Sequence, residues 1–113
     1  YIVCASGVQQ DAGCDFIYTD FTGQLSGAST ALTCHIEVKS SVFEELQPFH
    51  MTMNEWRCAQ RCHDDPDLAY IIILVTGVTT SPKVSRVLID PIQLMSSEKL
   101  SCAWSEIVVN VIE

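Results

Sequence analysis

Six cysteines in a chain of 113 residues constrain the fold more than any other feature of this sequence. An even number of cysteines in a short chain is typical of a disulfide framework, and disulfides persist in oxidising compartments. The sequence therefore predicts a secreted, extracellular protein stabilised by three disulfides. The spacing does not choose among the possible pairings; buried thiols in a cytosolic protein and a metal site are the alternatives. The six residues are Cys4, Cys14, Cys34, Cys58, Cys62 and Cys102.

The composition narrows the class of protein further. A length of 113 residues suits one domain, and a hydrophobic content of 48% excludes a disordered chain. Fourteen acidic against six basic side chains give a net charge of −8, which disfavours nucleic acid and anionic membranes as partners. The longest apolar run, residues 69–75, is too short to span a bilayer. The partner expected of such a chain is another protein.

The clearest strand is predicted over residues 31–39, where apolar and polar side chains alternate. This alternation predicts that Cys34 points into the core and that His35 is a surface histidine. The two faces are Leu32, Cys34, Ile36 and Val38 on the dry side and Thr33, His35, Glu37 and Lys39 on the wet side.

The clearest helix is predicted over residues 53–63. Thr52 and Glu55 have the spacing of a capping box, and Met51 and Trp56 that of a hydrophobic staple. The helix ends before Pro66, because a residue that precedes proline is biased away from helix. The predicted apolar stripe contains Cys58, Ala59 and Cys62, and the wet side contains Arg57 and Arg61.

Further elements are predicted in the second half of the chain. Residues 68–76 are apolar on both faces and β-branched, as in a central strand. Asp90 followed by Pro91 predicts the start of a second helix. Trp56 and Trp104 are predicted to be core residues. The remaining predictions are a strand at 84–89, the helix itself at 91–98, and a closing strand at 100–112 with a break near 104–106.

This order of elements predicts a single α+β domain over residues 1–113. Strand, helix, strand, strand, helix, strand is the ferredoxin-like pattern, with two helices on one face of a four-stranded antiparallel sheet. Residues 31–113 form this predicted core. Residues 1–30 form an N-terminal arm that Cys4 and Cys14 tether.

No motif in the sequence predicts a catalytic, cofactor-binding or metal-binding residue. Cys58-x-x-x-Cys62-His63 has no second Cys or His pair at the spacing usual for zinc. The acidic segment 63–67 lacks the glycine and terminal glutamate of an EF-hand loop. A catalytic nucleophile that His35, His50 or His63 activates stays an open alternative, because the residues of such a site can lie far apart in the sequence.

The order of elements, the acidic chain and the six scattered cysteines resemble secreted fungal effectors of the killer-toxin-like α/β sandwich class. The resemblance covers residues 31–112 and implies a non-enzymatic protein that recognises a partner in a host or competitor. The stretch 55–62, followed by a strand and then Cys102-Ala103-Trp104, is also similar to PAN/apple modules, which bind proteins or carbohydrates. A secreted recognition protein is therefore the leading prediction, with a PAN-type module and a small secreted hydrolase as alternatives.

Overall fold

The computed structural model describes residues 2–4, 13–103 and 108–112, without the side chains of residues 2–4, 102–103 and 108. It contains eight strands and two helices within these residues. They are β1 (Ile2–Cys4), β2 (Phe16–Asp20), β3 (Leu32–Ser40), β4 (Phe49–His50), α1 (Met53–Asp64), β5 (Leu68–Thr76), β6 (Lys83–Ile89), α2 (Pro91–Ser96), β7 (Leu100–Ala103) and β8 (Val108–Val111).

The main sheet is a five-stranded mixed sheet with the order β1-β2-β3-β5-β6. Strands β3 and β5 are parallel neighbours joined through α1, and the other pairs are antiparallel. The prediction of mixed α and β structure with two helices is confirmed. The four-stranded antiparallel, ferredoxin-like arrangement is wrong, because β2 occupies one edge of β3 and β5 the other. No edge of β3 remains for the last strand of the chain.

The segment predicted as an N-terminal arm belongs to this sheet. Strand β2 pairs with β3 from Phe16↔Ile36 to Asp20↔Leu32, and β1 pairs with β2. The sheet therefore begins well before the predicted boundary between arm and core.

The closing strand predicted over residues 100–112 is two strands. Strands β7 and β8 run antiparallel, and β8 also pairs with β4 to form a second, three-stranded sheet. Two antiparallel strands therefore replace the single predicted strand, and the short strand β4 had no signal in the sequence. The predicted break near 104–106 and the predicted core role of Trp104 lie outside the described residues.

The main sheet has an apolar cluster on each of its two faces. Both helices contact the larger cluster, on the face that presents Tyr70, Ile72 and Leu74 of β5. The smaller cluster lies on the opposite face and contains Cys34, Ile36, Ala69 and Ile71, with Leu25 from the β2–β3 loop packed against it. Strand β5 thus lies between two apolar layers, as its β-branched, apolar sequence predicts.

Helix α1 forms as its sequence signals predict. The Thr52 side chain accepts a hydrogen bond from Glu55 N, and the Glu55 carboxylate accepts one from Thr52 N, which completes the capping box. Met51 and Trp56 are both buried in the larger cluster. The buried stripe faces the sheet and consists of Trp56, Cys58, Ala59 and Cys62, whereas Arg57 and Arg61 are exposed.

Asp90 connects the start of α2 with α1. Its backbone has φ 55°, a left-handed conformation, and its carboxylate caps Gln93 N and contacts His63 Nδ1 at 2.9 Å. The hydrogen bond with Asp90, together with its charge, raises the pKa of His63. His63 is therefore engaged with Asp90, at the end of α1.

Replacing Asp90 with alanine is expected to lower the free energy of unfolding by about 1–2 kcal/mol. The change removes an N-cap and leaves a residue with a Cβ in left-handed backbone without the local hydrogen bonds that favour aspartate there. Asp90→Asn is the matched control, because asparagine also caps helices and tolerates this conformation. Urea unfolding of the three proteins measures the difference; an alanine variant as stable as the parent would contradict the capping role.

No helix among the described residues has the length and apolar character needed to cross a bilayer. The expectation of no membrane-spanning helix agrees with this finding.

Candidate functional site

The polar face of β3 is covered by α1. The alternation of polar and apolar side chains is as predicted, but the side expected to be wet faces the helix. Glu37 is buried, and His35 and Lys39 are half-buried. The predicted dry face does pack in a core, with Cys34 and Ile36 buried in the smaller cluster, but the predicted wet face is not open to solvent because α1 covers it. The polar side chains of β3 therefore form a row in a narrow layer between sheet and helix.

One end of this row brings a lysine between two carboxylates. Lys39 Nζ lies 2.8 Å from Glu55 Oε1 on α1 and 3.6 Å from Glu37 Oε2 on its own strand. Glu37 and Lys39 share a face because they are two residues apart on β3. Glu55 is held in place because its Oε1 also accepts the capping hydrogen bond from Thr52 N at 3.0 Å.

Asp15 joins this group from the residue before β2. Its backbone N–H donates to Ile36 O at 2.9 Å, and its Oδ2 accepts from Val38 N at 2.9 Å. These two bonds on either side of Glu37 fix the Asp15 carboxylate against β3. Three carboxylates and one lysine thus meet where β3, α1 and the start of β2 come together; we call Asp15, Glu37, Lys39 and Glu55 the acidic cluster.

The surroundings of Glu37 favour its neutral form. Burial, and after it the charge of Glu55, raise the pKa of Glu37 to about 7. Lys39 opposes the shift, while Asp15 adds to it through its charge and a hydrogen bond. More negative charge is therefore concentrated around Glu37 than one lysine balances.

The other end of the row is a cluster of sulfur and nitrogen donors. Cys14 Sγ lies 3.6 Å and Cys58 Sγ 3.7 Å from His35 Nδ1. The donor atoms of His35, Cys58 and Cys62 all lie within 4.8 Å of one another. We call Cys14, His35, Cys58 and Cys62 the thiol cluster. Because it lies under α1, the prediction of a surface His35 is wrong.

The four thiols whose side chains are described are free. Cys14, Cys34, Cys58 and Cys62 are all buried, and Cys34 lies across the sheet from the other three, in the smaller cluster. The predicted stabilisation by disulfides has no support among them. Cys4 and Cys102 lie on β1 and β7, and the prediction that they take part in disulfides concerns side chains outside the described part of the chain.

The thiols of the cluster influence one another's protonation. A hydrogen bond with Cys58 raises the pKa of Cys14, and burial acts in the same direction. The pKa of Cys62 is raised in the same way. Hydrogen bonds from Cys14, from Cys62 and, to a smaller extent, from His35 lower the pKa of Cys58.

Tyr70 positions the segment that carries Cys14 and Asp15. Its hydroxyl donates to Gly13 O at 2.7 Å from the fully buried centre of β5. Burial raises the pKa of Tyr70 above its ordinary value, so the hydroxyl stays a donor. Gly13 has φ 77° and turns the chain so that Cys14 and Asp15 reach the two clusters.

An open groove begins at Lys39. It has a volume of about 460 Å³ and is lined by the end of β3, the following loop and β4. His50, one of the candidate bases named from the sequence, is among the residues that line this groove. The lining includes Lys39, Ser40, Ser41, Phe43, Gln47 and His50. The groove therefore gives solvent and small solutes access to Lys39, the member of the acidic cluster that lines it.

Sequence reasoning missed the acidic cluster. The sequence predicts a solvated face for Glu37 and Lys39 and places Asp15 in the N-terminal arm. A signal was nevertheless present in the sequence. An acidic residue stands directly before one strand, and Glu-x-Lys lies on one face of the next strand. If these two strands pair, the three charged groups lie close together. The pairing of β2 with β3 supplies that condition.

The chain matches a known protein family. A family model described as Protein NO VEIN, C-terminal, matches residues 3–87, well over half of the chain. The chain belongs to this family. No curated protein and no solved structure matches it. The part that matches the NO VEIN C-terminal model includes every residue of the acidic cluster and the thiol cluster, whereas α2 and strands β7 and β8 lie beyond it.

Proposed function

We propose that this chain hydrolyses phosphodiester bonds with the help of a divalent cation held by Asp15 and Glu37. The observation that carries the proposal is the position of Lys39 beside Glu37 on one face of β3, with the Asp15 carboxylate fixed against the same strand. Membership of the NO VEIN C-terminal family is compatible with this function and does not specify it.

The donor chemistry fits magnesium or manganese. These cations prefer carboxylate oxygen, and Mg²⁺ in particular is bound by one or two carboxylates together with substrate phosphate and water. Asp15, directly before β2, and Glu37, on the neighbouring strand β3, supply that number of carboxylates. The surplus of negative charge around buried Glu37 is a further reason to expect a cation there. Such a cation would polarise the phosphoryl group and lower the pKa of bound water.

Lys39 has the properties of a group that binds a phosphoryl oxygen. Its ammonium is a compact point charge, a frequent partner of phosphate in proteins. It is held in place by Glu55 at 2.8 Å and stands at the edge of the open groove. A phosphodiester in the groove would approach Lys39 first, with the two carboxylates behind it. Glu55 serves as a positioning residue for Lys39.

This proposal takes up the hydrolase alternative of the sequence analysis. The leading prediction of a secreted, non-enzymatic effector, like the PAN-type module, stays a prediction; it drew on disulfides, and four of the six cysteines carry free thiols. The net charge of −8 repels polyanions over most of the surface. The proposal therefore specifies only the bond that is cleaved, a phosphodiester, and nucleic acid is one class of molecule that contains it.

The test is hydrolysis of bis(4-nitrophenyl) phosphate, single-stranded RNA and plasmid DNA, with Mg²⁺ or Mn²⁺ present or omitted. Cation-dependent cleavage of at least one substrate is expected. Glu37→Gln and Lys39→Met are each expected to reduce the rate by about 10²–10³-fold, as when a transition-state contact is removed. The small ester distinguishes a general phosphodiesterase from an enzyme that needs a polynucleotide.

Glu44→Gln is the matched control, because Glu44 is exposed and outside the acidic cluster. It removes the same charge and is expected to retain full activity. Circular dichroism checks that each variant is folded, and Lys39→Met keeps the test valid if Glu37→Gln does not fold. Absence of cation-dependent cleavage of all three substrates, or full activity of folded Glu37→Gln and Lys39→Met proteins, would refute the proposal.

A further inference from the structure

We infer that the thiol cluster is a structural zinc site in which Cys14, His35, Cys58 and Cys62 are the four ligands. This inference does not rest on the proposed phosphodiesterase activity. The four side chains come from three separate places in the fold: the turn before β2, strand β3 and helix α1. Their donor atoms nevertheless converge on one small volume beneath the helix.

The distances match a tetrahedral zinc centre. Zinc lies about 2.3 Å from a cysteine sulfur and about 2.0–2.1 Å from a histidine nitrogen, so two such ligands at a tetrahedral angle are about 3.5 Å apart. The observed separations from His35 Nδ1 are 3.6 Å to Cys14 Sγ and 3.7 Å to Cys58 Sγ. Cys62 lies in the same group, one helical turn after Cys58.

Zinc accounts for this group of residues better than a disulfide does. A disulfide would use two of the three sulfurs. It would not explain why a third thiol and an imidazole lie in the same buried space. Cys58 and Cys62 are also poorly placed to bond each other, since side chains four apart on a regular helix rarely reach disulfide geometry. Three thiolates and one histidine form a Cys₃His set, a common composition of structural zinc sites.

Burial indicates a structural site and not a catalytic one. Cys14, Cys58 and Cys62 are 6%, 2% and 3% exposed, and the half-buried His35 completes the set. Four protein ligands fill a tetrahedral coordination sphere and leave no position for substrate or water. The role of the metal would be to join the start of β2, strand β3 and helix α1.

The ligands alternate along the chain with the residues of the acidic cluster. Cys14 precedes Asp15, His35 is two residues before Glu37, and Cys58 is three residues after Glu55. A metal that fixes these three ligands fixes the backbone on which the carboxylates stand. Zinc would thereby set the distance between β3 and α1 that Lys39 and Glu55 span.

The test is the metal content of the full chain, purified under reducing conditions with zinc in the growth medium. Elemental analysis is expected to find one equivalent of zinc per chain, and cobalt(II) in its place is expected to give the absorption of a tetrahedral thiolate complex. Cys58→Ser is expected to lose both signals. Cys34→Ala, which removes a buried thiol on the other face of the sheet, is expected to retain them.

His35 provides a test that does not depend on the stability of a cysteine variant. His35→Cys preserves four ligands and is expected to bind cobalt with stronger thiolate-to-metal absorption, whereas His35→Ala is expected to lose tetrahedral cobalt. Native and denaturing mass spectrometry add an independent readout. No zinc in the parent protein, a disulfide within the thiol cluster, or full zinc content in both Cys58→Ser and His35→Ala would overturn the inference. Withholding Mg²⁺ abolishes only the proposed hydrolysis, so failure of one proposal is distinguishable from failure of the other.

Discussion

Replacing Gly13 with alanine is expected to destabilise the protein by about 3 kcal/mol or more. Gly13 has φ 77°, where a residue with a Cβ costs about 1–2 kcal/mol. An added Cβ would also lie 2.7 Å from both Asn54 O and Cys58 Cβ, so the turn or α1 must move. Overpacking of this kind costs about 1–3 kcal/mol more. Urea unfolding followed by circular dichroism measures the loss.

Gly27 offers a matched control for this experiment. It has φ 74°, close to that of Gly13, but no atom lies within 4 Å of the position its Cβ would take. Gly27→Ala therefore tests the backbone conformation alone and is expected to cost about 1 kcal/mol. If both variants were equally stable, the close approach of the Gly13 turn to α1 would be contradicted. A larger loss in Gly13→Ala also predicts disturbance at both clusters, because Cys14 and Asp15 follow directly.

The elements predicted well from sequence are those whose signals are local. The capping box at Thr52 and Glu55 and the Asp90-Pro91 start of α2 involve residues a few positions apart, so short-range chemistry determines them. Residues 68–76 were predicted as a central strand from composition alone, and β5 has these bounds. In each case the interaction that forms the element lies within the element.

The order of strands could not be predicted in this way. Whether β3 pairs with β5 or with the last strand depends on which partner reaches its free edge, and that is decided by contacts between distant segments. Residues 16–20 were assigned to an arm, so their occupation of the β3 edge was not anticipated. Once β2 and β5 flank β3, the C-terminal segment pairs elsewhere, with β4. One misassigned segment therefore changed the predicted topology.

The candidate sites could not be predicted from the sequence for a related reason. Alternation on β3 identifies two faces, but it does not tell which is wet when a helix covers the polar one. His35, Glu37 and Lys39 look solvated in sequence because buried polar side chains are uncommon. Their roles can be inferred only when the fold brings two further groups beside them. Cys14 and Asp15 come from the turn before β2, and Glu55, Cys58 and Cys62 come from α1. Sites assembled from three segments carry little signal in any one of them.

Truncation of either isoleucine at the centre of β5 is expected to cost about 2–5 kcal/mol, the range for a fully buried isoleucine changed to alanine. Ile71 and Ile72 are both 0% exposed, yet they point to opposite faces of the sheet. Ile72 packs in the larger cluster under the helices, and Ile71 in the smaller cluster with Cys34. Similar losses in Ile71→Ala and Ile72→Ala are therefore expected from chemical denaturation.

The comparison between the two variants tests how the second face of the sheet is covered. Among the described residues, the smaller cluster receives Leu25 from a loop and no helix, whereas the larger cluster is covered by both helices. Val84→Ala on edge strand β6, where the side chain is 59% exposed, is the control and is expected to cost less than about 1 kcal/mol. If Ile71→Ala were as mild as Val84→Ala, the loop would not form a true core layer. A large loss would show that Ile71 lies in a true core layer although, among the described residues, no helix covers this face of the sheet.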